Sequence, residues 1–109
     1  MPTETHYIVV QVTAASAEQA WTIARALVER ALAASAQVFP IRSCYVWEGR
    51  IVESNEHLIQ LKTRAEHFDA LAARVKELHS YLVPSIVALP ISAGATTYLN
   101  WIDEVVMRP

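Results

Sequence analysis

Four histidines and one cysteine are the side chains in this sequence best suited to soft or borderline metal ions. His79 is the best placed of them. It follows Phe68, Leu71, Ala72, Val75 and Leu78, whose spacing predicts an amphipathic helix that ends at His79. Neutral imidazole is a good ligand for copper and zinc, and a helix end is where a site between subunits could lie. The plainer reading is a histidine that satisfies the last helical carbonyls and answers the helix dipole. Cys44 offers a softer donor, yet free cysteines usually behave as small buried hydrophobes. His6, His57 and His67 stand at no spacing known to build a metal site, and no histidine pair at i and i+4 occurs. Only a symmetric assembly, gathering one from each copy around an axis, would make ligands of them.

Signs of catalysis are missing. The chain has no Gly-x-Ser-x-Gly elbow, no phosphate-cradling glycine loop and no spaced His/Cys/Asp set. With only two glycines, Gly49 and Gly94, a dinucleotide-binding turn is excluded. The chain reads as a non-enzyme.

These residues must be positioned by a short series of elements. HYIVVQVT (His6 to Thr13) is β-branched and reads as a strand buried on both faces or nearly so. Ser16 and Gln19 fit a capping box, in which the hydroxyl and the amide side chain satisfy each other's backbone N–H. Ala17, Ala20, Trp21, Ala24, Leu27, Val28 and Ala31 then form the apolar stripe of a first helix. From Gln37 to Glu48 the pattern is extended, with Pro40 marking a bulge, a bend or an edge that disturbs register. Glu48-Gly49 predicts a tight turn. Arg50 to Glu53, a polar stretch to Glu56, and the strand HLIQLKT complete a long hairpin with a polar tip. Thr63 and Glu66 repeat the capping-box spacing before the second helix. Ser85 to Pro90 reads as a fourth strand, and Thr97 as the cap of a short helix carrying Tyr98, Trp101, Ile102 and Val105.

The order β-α-β-β-α-β-α is an α+β pattern, the split β-α-β of ferredoxin-like folds with an extra C-terminal helix. Right-handed crossovers put both long helices on one face of a four-stranded antiparallel sheet and leave the other face bare. At 109 residues the chain is the size of one domain, 1–109. A chain this small and 53% hydrophobic is expected to hide further surface against copies of itself. A net charge of −2 and scattered lysines and arginines argue against nucleic acid. No stretch approaches the length of a membrane span, and MPTETHYIVV lacks the pattern of a cleaved signal. One cysteine suits a reducing cytoplasm.

The run YVWEGRIVESNEHLIQLKT resembles the central signature of the CutA divalent-cation-tolerance family, Tyr-x-Trp-x-Gly-Lys/Arg-Ile followed by polar residues and a strand ending Lys-Thr. Tyr45, Trp47, Gly49, Arg50, Ile51, Lys62 and Thr63 fill those places. IARALVERALAAS, KELHSYLVPSIVALPI and YLNWI extend the resemblance over nearly the whole chain. It implies a ferredoxin-like domain in a PII-like homotrimer whose hairpins pair across subunits. It also implies a link to tolerance of copper and other divalent cations.

The chain departs from the family in two places. Where members commonly read Ala-Ala-Cys-Val-Asn, this sequence has Ala33-Ala34-Ser35-Ala36-Gln37, so the family's soft ligand is replaced by a serine hydroxyl. The His-Pro-Tyr-Glu-Val-Pro motif appears as His79-Ser80-Tyr81-Leu82-Val83-Pro84, keeping His79 and Tyr81 and losing the acid. The remaining family positions, Tyr45, Trp47, Lys62 and Tyr81, imply a cleft in which a lysine among aromatics binds a small anion or polarises a carbonyl. The alternative is that these aromatics anchor a subunit interface. Two functions are therefore expected: a copper-binding trimer using His79, or a PII-like sensor or scaffold for a small anion or a protein.

Overall fold

The computed structural model describes residues 6–106; the reading of the N-terminal segment falls largely on residues outside them. The element order is β1 (Tyr7–Ala14), α1 (Ala17–Glu29), β2 (Ser35–Trp47), β3 (Arg50–Arg64), a 3₁₀ turn (Ala65–His67), α2 (Phe68–Leu78), β4 (Ile86–Pro90) and α3 (Thr96–Val105). The strands form one antiparallel sheet in the order β2-β3-β1-β4. This is the ferredoxin-like α+β fold read from the sequence.

Burial along β1 alternates, with Ile8, Val10, Val12 and Ala14 in the core and the residues between them half-buried. The strand therefore has one fully covered face, not two, because only one side of the sheet carries α1 and α2. Ile59 and Leu61 of β3 join that core, as do Leu71 and Val75 of α2. In α1 the buried stripe is Ala20, Ile23, Ala24 and Leu27, whereas Trp21 and Val28 point outward. The helix is rotated from the expected stripe so that Ile23 takes the central place. Ala31 lies past its end, at φ 56, with Leu32 N–H bonded to Leu27 O and Ala31 N–H to Val28 O. That is a Schellman stop with alanine where glycine is usual.

The capping predictions divide. Ser16 Oγ accepts from Gln19 N at 3.1 Å, while the Gln19 side chain accepts from Ser80 Oγ. Thr63 stays in β3 opposite Ile8, and its buried hydroxyl donates to Leu32 O at 2.7 Å. Cross-sheet pairing thus overrides the local capping pattern, and α2 starts after the 3₁₀ turn without a side-chain cap. Thr97 does not cap α3 either, since the cap position is Ala95.

β2 and β3 pair without interruption from Ser35↔Lys62 to Trp47↔Arg50. Pro40 causes no bulge or register shift; it sits on the edge strand, and the polar stretch near Glu53 to Glu56 is ordinary strand. The turn has Glu48 at φ 50 and Gly49 at φ 75, the doubly positive pair that matches hairpin twist.

The sheet face away from α1 and α2 is only partly bare. Across its β1–β3 end lies α3, burying Ile102 and Val106 with Ala34 and packing on Tyr7. Tyr7 Oη donates to Asp103 Oδ2 at 2.8 Å, and Arg64 bridges Asp103 and Glu66. The remainder of this face exposes Phe39, Val87 and Leu89.

Candidate functional site

β1 pairing ends at Ala14↔His57, but β3 and β2 run on as a two-stranded ribbon. Under the start of that ribbon passes the connector from α2 to β4. The two border an open cavity of about 720 Å³, lined by residues that include Tyr45, Trp47, Glu56 and Tyr81. The two-residue turn explains the grouping. Closing the hairpin at Trp47↔Arg50 sets Ile41 opposite Glu56 and Tyr45 opposite Val52. Strand alternation then puts Tyr45, Trp47 and Glu56 on one face.

The connector is held by His79. Its backbone N–H donates to Val75 O, ending α2. Its Nδ1 accepts from Tyr81 N at 3.0 Å, which leaves the ring proton on Nε2, 2.6 Å from Thr13 O. The imidazole therefore bonds a β1 carbonyl rather than the last carbonyls of its own helix. Both ring nitrogens are engaged, so a metal ion would have to displace one of these bonds. The same arrangement sets Tyr81, whose ring centroid is 4.7 Å from that of His79.

Tyr81 Oη donates to Glu56 Oε2 at 2.7 Å. Burial first, then the hydrogen bond to Glu56 and its charge, push the Tyr81 phenol well above its usual range. Glu56 is 5% exposed. Sequence reasoning missed this carboxylate by assigning it to a polar tip. Its signal was the turn, which fixes the face that Glu56 shares with Tyr45 and Trp47.

The expected cleft residues separate within the chain. Tyr45, Trp47 and Tyr81 line the cavity. Lys62 lies six residues from Glu56 along β3, roughly 20 Å at strand rise, and its Nζ donates to Gln37 Oε1 at 3.0 Å. Beside it Ser35, its cross-strand partner, has Oγ 3.4 Å from Tyr98 Oη. Cys44 is exposed and borders the cavity rather than sitting in a core. An edge-strand position beyond the cover of the helices accounts for this. His57 and His67 fall on separate elements from His79. Among the described residues, no group of three or more His, Cys, Asp or Glu is placed to hold a metal ion within one chain.

The family model described as "CutA1 divalent ion tolerance protein" matches residues 8–105. The divalent-cation tolerance protein CutA of Thermus thermophilus is 50% identical over 97 residues, covering 88% of this chain and 94% of that protein. Its counterpart from Archaeoglobus fulgidus is 44% identical over 97 residues, 89% of this chain and 95% of that one. Among solved structures, CutA1 from Oryza sativa superposes with a TM-score of 0.93 at 37% identity, covering 99% of this chain and 100% of that chain. Fold, register and these matches agree over nearly the full length, and the chain belongs to the CutA1 divalent ion tolerance family.

Proposed function

We propose that this chain, as a single domain over 1–109, works as a homotrimer that binds divalent copper and confers tolerance to it. Membership of a divalent-cation tolerance family supports the metal reading. The observation that carries the assembly is the incompleteness of the single chain. Phe39, Val87 and Leu89 on the sheet and Val46 and Ile51 on the ribbon are exposed apolar groups that other copies would cover. The same incompleteness applies to the metal. Among the described residues one chain gathers no group of three ligands, so the site we propose draws on several copies, with His79 from one of them once its contact to Thr13 or Tyr81 is released. Ser35 stands at the family's cysteine position and supplies only a hydroxyl. The role of the protein is binding rather than catalysis, and the lone cysteine suits the cytoplasm.

The second reading is a PII-like sensor or scaffold for a small anion or a protein. It is favoured by Lys62, whose ammonium is bonded to the neutral side chain of Gln37 beside Ser35. Native mass spectrometry before and after equilibration with copper(II) separates the two. A trimer retaining stoichiometric copper, lost in His79→Ala, supports the first. A metal-free trimer that gains copper only as Ser35→Cys favours the second, and a monomer overturns the assembly.

A further inference from the structure

The cavity beneath the ribbon has a charge pattern unlike that expected for an anion site. Among the described residues that line it, Glu56 is the one with a formal charge, and no lysine or arginine is present. Its carboxylate is almost fully buried. Burying an ionised carboxylate is costly unless a partner of opposite charge or several donors answer it. Tyr81 Oη supplies one donor and fixes the carboxylate's orientation. The nearby His79 supplies no positive charge in this arrangement, since its Nδ1 is an acceptor. The rest of the wall is rich in aromatic rings, from Tyr45, Trp47 and Tyr81. Aromatic faces attract cations through their quadrupole, most strongly where water is excluded.

We propose that this cavity binds small organic ammonium ions, with the Glu56 carboxylate as counter-charge and Tyr45, Trp47 and Tyr81 as the aromatic wall. At about 720 Å³ the space is that of a small-molecule site rather than of a bare ion. A metal ion finds one carboxylate and the Cys44 thiol there, and among the described residues no group of three or more His, Cys, Asp or Glu is placed to hold it within one chain. Within one chain a small anion meets a like charge there. The inference is independent of copper binding, which would be completed between copies.

The test uses the purified full-length protein in its native assembly. Choline is titrated calorimetrically beside 3,3-dimethylbutan-1-ol, its uncharged carbon counterpart of nearly equal shape, and beside inorganic phosphate. The expected result is saturable choline binding at least about tenfold tighter than that of the alcohol. In Glu56→Gln, which keeps the side-chain shape and the aromatic wall, that preference should shrink severalfold while the circular dichroism spectrum is retained. The wild-type comparison of choline with the alcohol decides the matter even if the variant misfolds. Equal binding of the two would reduce the site to an apolar hollow and overturn the proposal. Preferential binding of phosphate, or no saturable binding of choline, would overturn it too. A copper titration of the same sample reports on the metal reading alone.

Discussion

The β2–β3 hairpin runs through two environments with one unbroken register. Near Ala36–Val38 and Ile59–Thr63 it lies under the helices and beside β1, and Ile59, Leu61 and Thr63 are inaccessible to solvent. Past His57 it loses β1, and Val46 and Ile51 are 69% and 76% exposed. Strand pairing is the same in both halves, so the difference comes from what the rest of the chain lays on it. The covered half supplies stability through packing. The projecting half carries the cavity and depends on what else covers it.

Three substitutions test this contrast. The largest effect is expected from Ile59→Ala, which empties a site packed on all sides and should cost about 3–4 kcal/mol in urea unfolding. A loss under ~1 kcal/mol would mean that the covered half is not the stabilising one. Tyr81→Phe, where the halves meet, should cost about 1–2 kcal/mol at neutral pH, because it removes the donor to the buried Glu56 carboxylate. It should also alter the alkaline limb. The folded phenol's pKa lies above the ordinary 10.0, chiefly through burial, so its contribution is complete below about pH 10 and fades as pH rises beyond it. Unfolding at pH 9 and pH 11 should show a smaller drop in the variant, and an unchanged drop would locate the alkaline sensitivity elsewhere. Ile51→Ser should have the smallest effect, within about 0.5 kcal/mol in the dilute, dissociated chain. At high protein concentration it should lower the melting temperature if copies cover the ribbon, and concentration-independent melting would leave the projecting half uncovered.

Much of this contrast was legible in the residues. Glu48-Gly49 announces a two-residue turn, and with Trp47↔Arg50 closed, every later pair of the hairpin follows. Strand alternation from that point already groups Tyr45 with Trp47, and carried further it would have included Glu56. What stayed hidden depended on contacts between distant segments. Thr63 followed by Glu66 is a good helix-start pattern, yet pairing with Ile8 and the Leu32 carbonyl holds that threonine in the sheet. Trp21 looked like a core residue because its spacing could not tell which neighbour α1 would present to the sheet, and Ile23 took the place. The packing of α3 is set by the Tyr7–Asp103–Arg64 cluster, whose members lie far apart in the chain. Lys62 and Tyr81 shared a family pattern, but only the course of the connector reveals that one chain keeps them apart.

Pro40 has a consequence for how the protein meets its neighbours. β2 is the outer strand, thirteen residues long, and such a border invites open-ended edge-to-edge addition of strands into fibrils. Proline near its middle removes a backbone donor, and since the inner ladder to β3 runs through Pro40↔His57 without a break, the donor it lacks belongs to the outer side. An incoming foreign strand can then hydrogen-bond to a short run on either side of residue 40, but not along the full border. The border therefore resists indefinite strand addition.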